Sequence, residues 1–518
     1  MFAVLAVVAG VRLRLLAFPL ERDEGEYAYA GQLILQGIPP YELAYNMKFP
    51  GTYLAYAVIM KLFGQTPAGI HFGLLLLTTA TALMLFWLGK KILDETAGIV
   101  AATAYAILAA SPSMLGLAGH ATHFCAFFVT AGLCALWLAR QNGNWRAAFV
   151  AGLLLGVAIL MKQHAALIGA WAGITFAVTC FRKTEMPFGR RLWSVAVCAT
   201  GTILPFGLCC WLLWHAGVFG KFWFWTIDYA RQYASIISGS EANNRFWLVL
   251  PMVISTTALL WLLAAAGLVL MWFDERLRAS RIWLVGFSLA AALTVFPGFY
   301  FRPHYFLATL PAVALSAGCA ISGSIWLQQK KGGPAQLQNS LMLAYAVFLA
   351  ATVFVNRDIW LVKNPGQAAR EIYGLPLFSE AENVAHFIRT NSAATARIAV
   401  IGSEPEIYFL AHRHSATGYI YTYPLMEPQP FALKMQEEMI REIEAAAPEF
   451  IVYVQGDTSW GRRPDSNPKI FNWWDGYKTN YTRSWLPGEL APATKPPKCT
   501  LFVYRRNGGK TGRAETSD

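Results

Sequence analysis

The sequence predicts an α-helical polytopic membrane protein of about eleven transmembrane helices, ending in a small α/β domain. Three observations predict it. Of 518 residues, 56% are hydrophobic and only 14% charged, where a soluble chain carries about 25%. Apolar runs approaching the roughly 20 residues a bilayer requires recur along the first 360 positions. From about residue 365 those runs shorten, charge rises, and the pattern turns to short strands and one amphipathic helix. The net charge of +12 does not point to nucleic acid, because Lys and Arg gather in short loops between apolar runs. Seven of the eight Cys lie in or beside apolar segments, so no disulfide framework or zinc spacing is present.

The first apolar run, 2–18, lacks a basic segment before it and a small-residue cleavage site after it. It reads as a retained span rather than a signal peptide. Further spans are expected near 67–89, 97–116, 123–140, 146–162, 164–181, 192–214, 247–273, 281–298, 304–323 and 338–356. The apolar stretch 50–64 is too short to cross and is expected in the interface. With that choice, Lys90, Lys91, Arg140, Arg146, Arg182, Lys183, Arg190, Arg191, Arg276, Arg278, Arg281, Lys330 and Lys331 fall on one side. That side is then cytoplasmic, with the N-terminus inside and the C-terminus outside. The organisation expected is a transmembrane module over 1–360 with its first outer loop at 19–66, an extracytoplasmic α/β domain over 365–507, and a disordered tail at 508–518. Within the α/β domain, 397–402 and 498–506 read as strands, and 434–454 as a helix, a Pro break and a strand.

The first outer loop holds the richest chemistry. Asp23, Glu24 and Glu26 open a helical pattern that Gly37 and Pro39-Pro40 stop. Asp23 stands near the helix N-terminus, where the dipole favours a carboxylate, and Tyr27 lies one turn on along the same face. A solvated acidic loop capping an interfacial helix has the same composition. The later Lys48, set between tight-turn residues, supplies the opposite charge and suits a phosphate leaving group beside a general base.

The succession Asp-Glu-x-x-Tyr, Gly-x-x-Pro-Tyr, Lys-x-Pro-Gly and Lys-Leu-Phe-Gly over 23–64 resembles the GT-C superfamily of integral membrane glycosyltransferases. The likeness is to the protein O-mannosyltransferase and aminoarabinose transferase group of family 39, with its RgtA-like members. It runs by motif over about 1–165 and by architecture beyond. The resemblance implies inverting transfer of one sugar from a polyprenyl-phosphate carrier to a hydroxyl acceptor on a lipid, glycan or protein, in a bacterial plasma membrane. It implies Asp23 as the catalytic carboxylate, Glu24 as its neighbour in catalysis, and Lys48 as a donor-phosphate contact. The aminoarabinose transferases carry an acid just before that lysine, where this chain has Met47. Relatives often place a second acid in the next outer loop, where this chain reads GLAGHATHF with His120 and His123. No cofactor is called for by the residues, and a divalent metal is left open.

Lys162, Arg302 and His304 lie at span ends expected on the same face as Asp23, and are candidate donor-phosphate contacts. Snorkelling for Lys162 and interfacial anchoring for Arg302 and His304 are the alternative readings. Arg12 and Arg14 read rather as snorkelling residues. Tyr27, Tyr41, His123 and Asp228 are candidate substrate contacts. His120 and His123, three apart, could pair on a metal, although helix-end histidines more often bond backbone. The aromatic loop 215–246 reads as an interfacial helix or a cover over the carrier. Two rivals remain at this point: a flippase for a lipid-linked sugar, and a non-catalytic scaffold of envelope assembly.

Overall fold

A computed structural model describes residues 1–142, 144–182, 185–332, 334, 336–484 and 499–508. Each of the eleven expected spans is helical, but they differ in reach. Among the described residues, six helices are long and apolar enough to cross a membrane: Pro67–Ile92, Ala121–Arg140, Ala165–Arg182, Phe188–His215, Pro303–Lys330 and Gln338–Val355. The 247–273 run is not one straight span, since Gly239–Ser255 and Ala258–Leu270 meet at a 106° bend. Phe2–Arg14, Glu95–Ala109, Trp145–Met161 and Arg281–Leu293 are shorter. Two of these stop early for local reasons. Pro112 turns the chain after Ala109 into a short 3-10 helix with Leu115 left-handed, and Pro297-Gly298, with Gly298 at φ +75°, follows Leu293. The chain is an integral membrane protein; Lys183 and most of the 508–518 tail lie outside the described residues.

The 19–66 segment folds as two short helices on one end of the bundle. Arg22–Leu35 starts at Glu21, whose side chain caps the helix by accepting from the Glu24 N–H. Gly37, at φ +81°, ends it. Gly51–Phe63 is 13 residues long, about 20 Å, and packs against the first helix. The two backbones meet at Gly31, where an added Cβ would stand 3.0 Å from the Ala57 N. Tyr53 and Tyr56 fill the space between them.

The C-terminal region is a five-stranded mixed sheet in the order β2-β1-β3-β5-β4, from β1 (Arg397–Ile401), β2 (His414–Ser415), β3 (Phe450–Gln455), β4 (Tyr481–Ser484) and β5 (Thr500–Arg506). β1 pairs in parallel with β2 and β3, and β5 runs antiparallel to β3 and β4. The Ala432–Ala446 helix buries Met435, Met439 and Ile443 at helical spacing. β2 and β4, two and four residues long, carry too little periodicity to be read from sequence.

Candidate functional site

A cavity of about 1170 Å³ opens where the 19–66 segment, the ends of several bundle helices and the C-terminal region converge. Asp23, Lys48, Lys162, Arg302, His304 and Tyr27 all line it. Segments hundreds of residues apart thus bring Asp23, Lys48, Lys162 and Arg302 to a single space.

Asp23 sits in the first turn of Arg22–Leu35 with its side chain 22% exposed. Lys48 Nζ donates to Oδ1 at 2.7 Å. The other oxygen, Oδ2, lies 3.6 Å from His304 Nε2 and 3.8 Å from His120 Nδ1. Those two imidazoles stack face to face, 4.2 Å between centroids and 10° from parallel. Burial raises the Asp23 carboxyl, but Lys48, His120 and His304 outweigh it and hold it well below the usual range. Glu21, two residues earlier, is pushed up to about 7 by burial and by Asp23.

Lys48 is held by several groups. Nζ also donates to the buried Glu26 Oε2 at 2.6 Å and stands 4.5 Å over the Tyr27 ring. Glu26 is braced in turn by Tyr53 Oη at 2.5 Å and Asn46 Nδ2 at 2.8 Å. Tyr41, itself left-handed at φ +66°, donates from its hydroxyl to the Lys48 carbonyl at 2.6 Å. Gln163 Nε2 donates to the Met47 carbonyl at 2.8 Å.

Lys162 and Arg302 are placed differently. Lys162 follows Trp145–Met161, with Nζ 3.9 Å over the Tyr305 ring. Burial, against the opposing pull of Asp23 and with Lys48 adding to it, pushes its pKa down to about 8. Arg302 is exposed to the cavity, its guanidinium 5.8 Å from the Tyr300 ring. Among the described residues, neither cation has a carboxylate within ion-pair distance, unlike Lys48 with two.

Four expected contacts are not brought to the cavity wall. Glu24 is turned about 100° from Asp23 around the helix and is fully buried. Its Oε1 accepts from the Gly119 N–H at 2.5 Å and meets His71 Nε2 at 3.0 Å, so it ties the helix to the bundle. Tyr41 is buried behind Lys48. His123 is buried away from the cavity, and the partner of His120 is His304 rather than His123. Asp228 is exposed on the π-helical turn Phe224–Tyr229 that buries Trp225 and Tyr229. Arg12 and Arg14 also stay off the cavity. Arg12 Nη2 donates to the Ala109 and Gly116 carbonyls at 2.8 and 3.0 Å, and Arg14 to the Trp360 carbonyl at 3.2 Å.

Sequence reasoning missed the wall built by the C-terminal region. Tyr421, Tyr423, Glu427 and Arg463 line the cavity. Glu427 accepts from Tyr229 Oη at 2.6 Å, and burial pushes it up to about 7. No local motif marks these residues. Asp23, His120 and His304 also present one carboxylate oxygen and two imidazole nitrogens within 4.8 Å of one another. Both His120 nitrogens are buried without a hydrogen-bond partner. Such an N/O donor set suits a zinc-like ion rather than magnesium.

Comparison with known proteins bears on the family and the fold. The dolichyl-phosphate-mannose-protein mannosyltransferase family matches residues 48–203. An undecaprenyl phosphate-α-4-amino-4-deoxy-L-arabinose arabinosyl transferase of Pseudomonas fluorescens is 26% identical over 395 residues, 68% of this chain and 65% of its own. The Edwardsiella ictaluri transferase of the same name is 23% identical over 205 residues, 37% of this chain and 35% of its own. The matches thus span about a third to just under two thirds of these relatives. The crystal structure of ArnT from Cupriavidus metallidurans bound to undecaprenyl phosphate superposes with a TM-score of 0.62 at 16% identity, covering 97% of this chain and 96% of that one. The apo oligosaccharyltransferase of Archaeoglobus fulgidus gives 0.52 at 13% identity, covering 87% and 69%. The fold is theirs, and the resemblance to GT-C glycosyltransferases of the aminoarabinose transferase type is borne out.

Proposed function

We propose that this protein is an inverting glycosyltransferase that moves one sugar from a polyprenyl-phosphate carrier to an acceptor hydroxyl on the extracytoplasmic side of the membrane. The observation that carries the reading is the single cavity in which Asp23 faces Lys162 and Arg302, two cations without a carboxylate partner among the described residues. The relatives, transferases of arabinose from undecaprenyl phosphate-α-4-amino-4-deoxy-L-arabinose, support it.

In this reading Asp23, kept ionised by its cationic neighbours, takes the proton of the acceptor hydroxyl. The acceptor oxygen attacks the anomeric carbon from the face opposite the phosphate. The anomeric C–O bond breaks, and its electron pair leaves with the polyprenyl phosphate. Lys162 and Arg302 meet the growing charge on that oxygen, where preorganised cations act most strongly. Lys48, already shared between Asp23 and Glu26, acts chiefly to aim Asp23, and His304 stands beside it. A divalent ion, if bound by Asp23, His120 and His304, would supply further positive charge there. The helical part to residue 360 carries the chemistry, the N-terminus is cytoplasmic, and the 365–507 region closes the site from outside. The acceptor hydroxyl belongs to a lipid, glycan or protein.

Purified protein supplied with a panel of polyprenyl-phosphate sugars is expected to release free polyprenyl phosphate with at least one of them. Movement of the intact lipid-linked sugar across the bilayer, with no release from any donor, would overturn the reading and favour a flippase.

A further inference from the structure

One stripe of the Arg22–Leu35 helix faces the cavity and another is docked on the C-terminal region. Asp23 and Tyr27 make up the first stripe. Residues 22, 25, 29 and 32, spaced three or four apart and so on one side of the helix, make up the second. At the top of that docked stripe, Arg22 donates from Nε and Nη2 to Glu404 Oε1 at 3.1 and 2.8 Å. Glu404 is fully buried, and its other oxygen accepts from the Ser403 N–H and Ser459 Oγ, both at 2.7 Å. Glu404 lies just past β1 and Ser459 just past β3, at the carboxyl ends of neighbouring parallel strands. In open α/β sheets that is the edge where ligands bind; here the chain's own guanidinium enters it.

The contacts below repeat the theme. The Arg22 carbonyl accepts from Tyr421 Oη at 2.7 Å. Gly25 touches the C-terminal region so closely that an added Cβ would lie 2.5 Å from the Glu406 N. Tyr29 Oη accepts from the Ser415 N–H at 2.7 Å, and Gln32 Nε2 meets His412 Nδ1 at 2.9 Å.

We infer that Glu404 is a positioning residue for the transfer reaction. Through Arg22 it fixes the rotation of the helix and hence the direction of the adjacent Asp23, so the C-terminal region positions the catalytic carboxylate rather than being an appendage. The inference rests on the function proposed above. Its physical basis is that an ion pair whose carboxylate is fully buried and bonded through both oxygens has a narrow geometry. Two residues joined across 382 positions of sequence hold the carboxylate only while both are present. A misplacement of about 1 Å at a reacting group costs on the order of 10²-fold in rate.

The test uses the full-length protein and three variants. Glu404→Gln and Gly25→Ala, the second a steric wedge that leaves every charge in place, are each expected to lower kcat about 10- to 100-fold. The donor KM should stay within about threefold, because Lys162 and Arg302 lie on other elements. Glu449→Gln, which loosens a half-buried pair with Arg505 elsewhere on the sheet, serves as the control and keeps full turnover. Hydrogen exchange of the 22–35 amides is measured on the same samples, and speeds up in the first two variants only. Wild-type kcat in Glu404→Gln, or exchange at 22–35 unchanged by both variants, overturns the inference. So does a loss of kcat no larger than the loss of folded protein. Because exchange needs no substrate, the coupling is decided even where the proposed reaction fails.

Discussion

Replacing Asp23 by Asn keeps the size of the side chain and removes its ability to take a proton. The folded state should tolerate the change. Orphaning a buried charge costs about 3–5 kcal/mol, but Lys48 keeps Glu26 at 2.6 Å and still finds an amide oxygen at position 23. The kinetic loss should be large. A positioned general base contributes about 10²–10⁴-fold, roughly 2.7–5.4 kcal/mol of barrier at 1.36 kcal/mol per decade. Single-turnover release of polyprenyl phosphate from a saturating donor, with acceptor in excess, isolates that step. The expected result is a 10²–10⁴-fold slower release, with a melting temperature in detergent close to wild type and unchanged polyprenyl-phosphate binding. Release within threefold of wild type, by protein of normal stability, would show that the carboxylate takes no part in the chemistry.

Two further predictions follow from the same geometry. Burial lowers the Lys162 pKa to about 8, so the ammonium is present below that pH and lost above it. kcat/KM for the donor should therefore fall up to tenfold per pH unit above about 8, and Lys162→Met should lower it at pH 7 and abolish this limb; a mutant that keeps the wild-type profile excludes Lys162 from donor binding. Glu24→Gln weakens a buried tie to His71 and the Gly119 N–H and should cost roughly 1–3 kcal/mol of stability, seen as a lower melting temperature, with turnover per folded molecule within about threefold. A loss of turnover matching that of Asp23→Asn would return Glu24 to the chemistry.

The helical membrane class was legible because burial in lipid demands long apolar runs, and those runs are visible one by one. Span lengths were not. The run at 247–273 looks continuous, yet it bends by 106°, and the 97–116 and 281–298 runs stop short before a proline. The first-loop helix and its face were legible from local spacing, which brought out Asp23 and Tyr27; Lys48 stood out as a lone lysine between turn residues. Glu24 was chosen as the neighbour of Asp23, but adjacent helix positions point about 100° apart; Tyr41 lies beyond the end of that helix and is buried. His120 and His123 share a helix face, but packing sends one to His304 and the other into the bundle.

By itself the sequence determined what must be near a membrane and which short segment is dense in chemistry, because hydrophobicity, turns and helical period act over a few residues. Only the tertiary structure decided that Lys162 and Arg302 meet Asp23 in one cavity, and that Lys48 is spent on two carboxylates. Only it seats Arg22 on Glu404. Such pairings depend on how helices and a distant sheet pack, and no local pattern encodes which of two buried surfaces will meet.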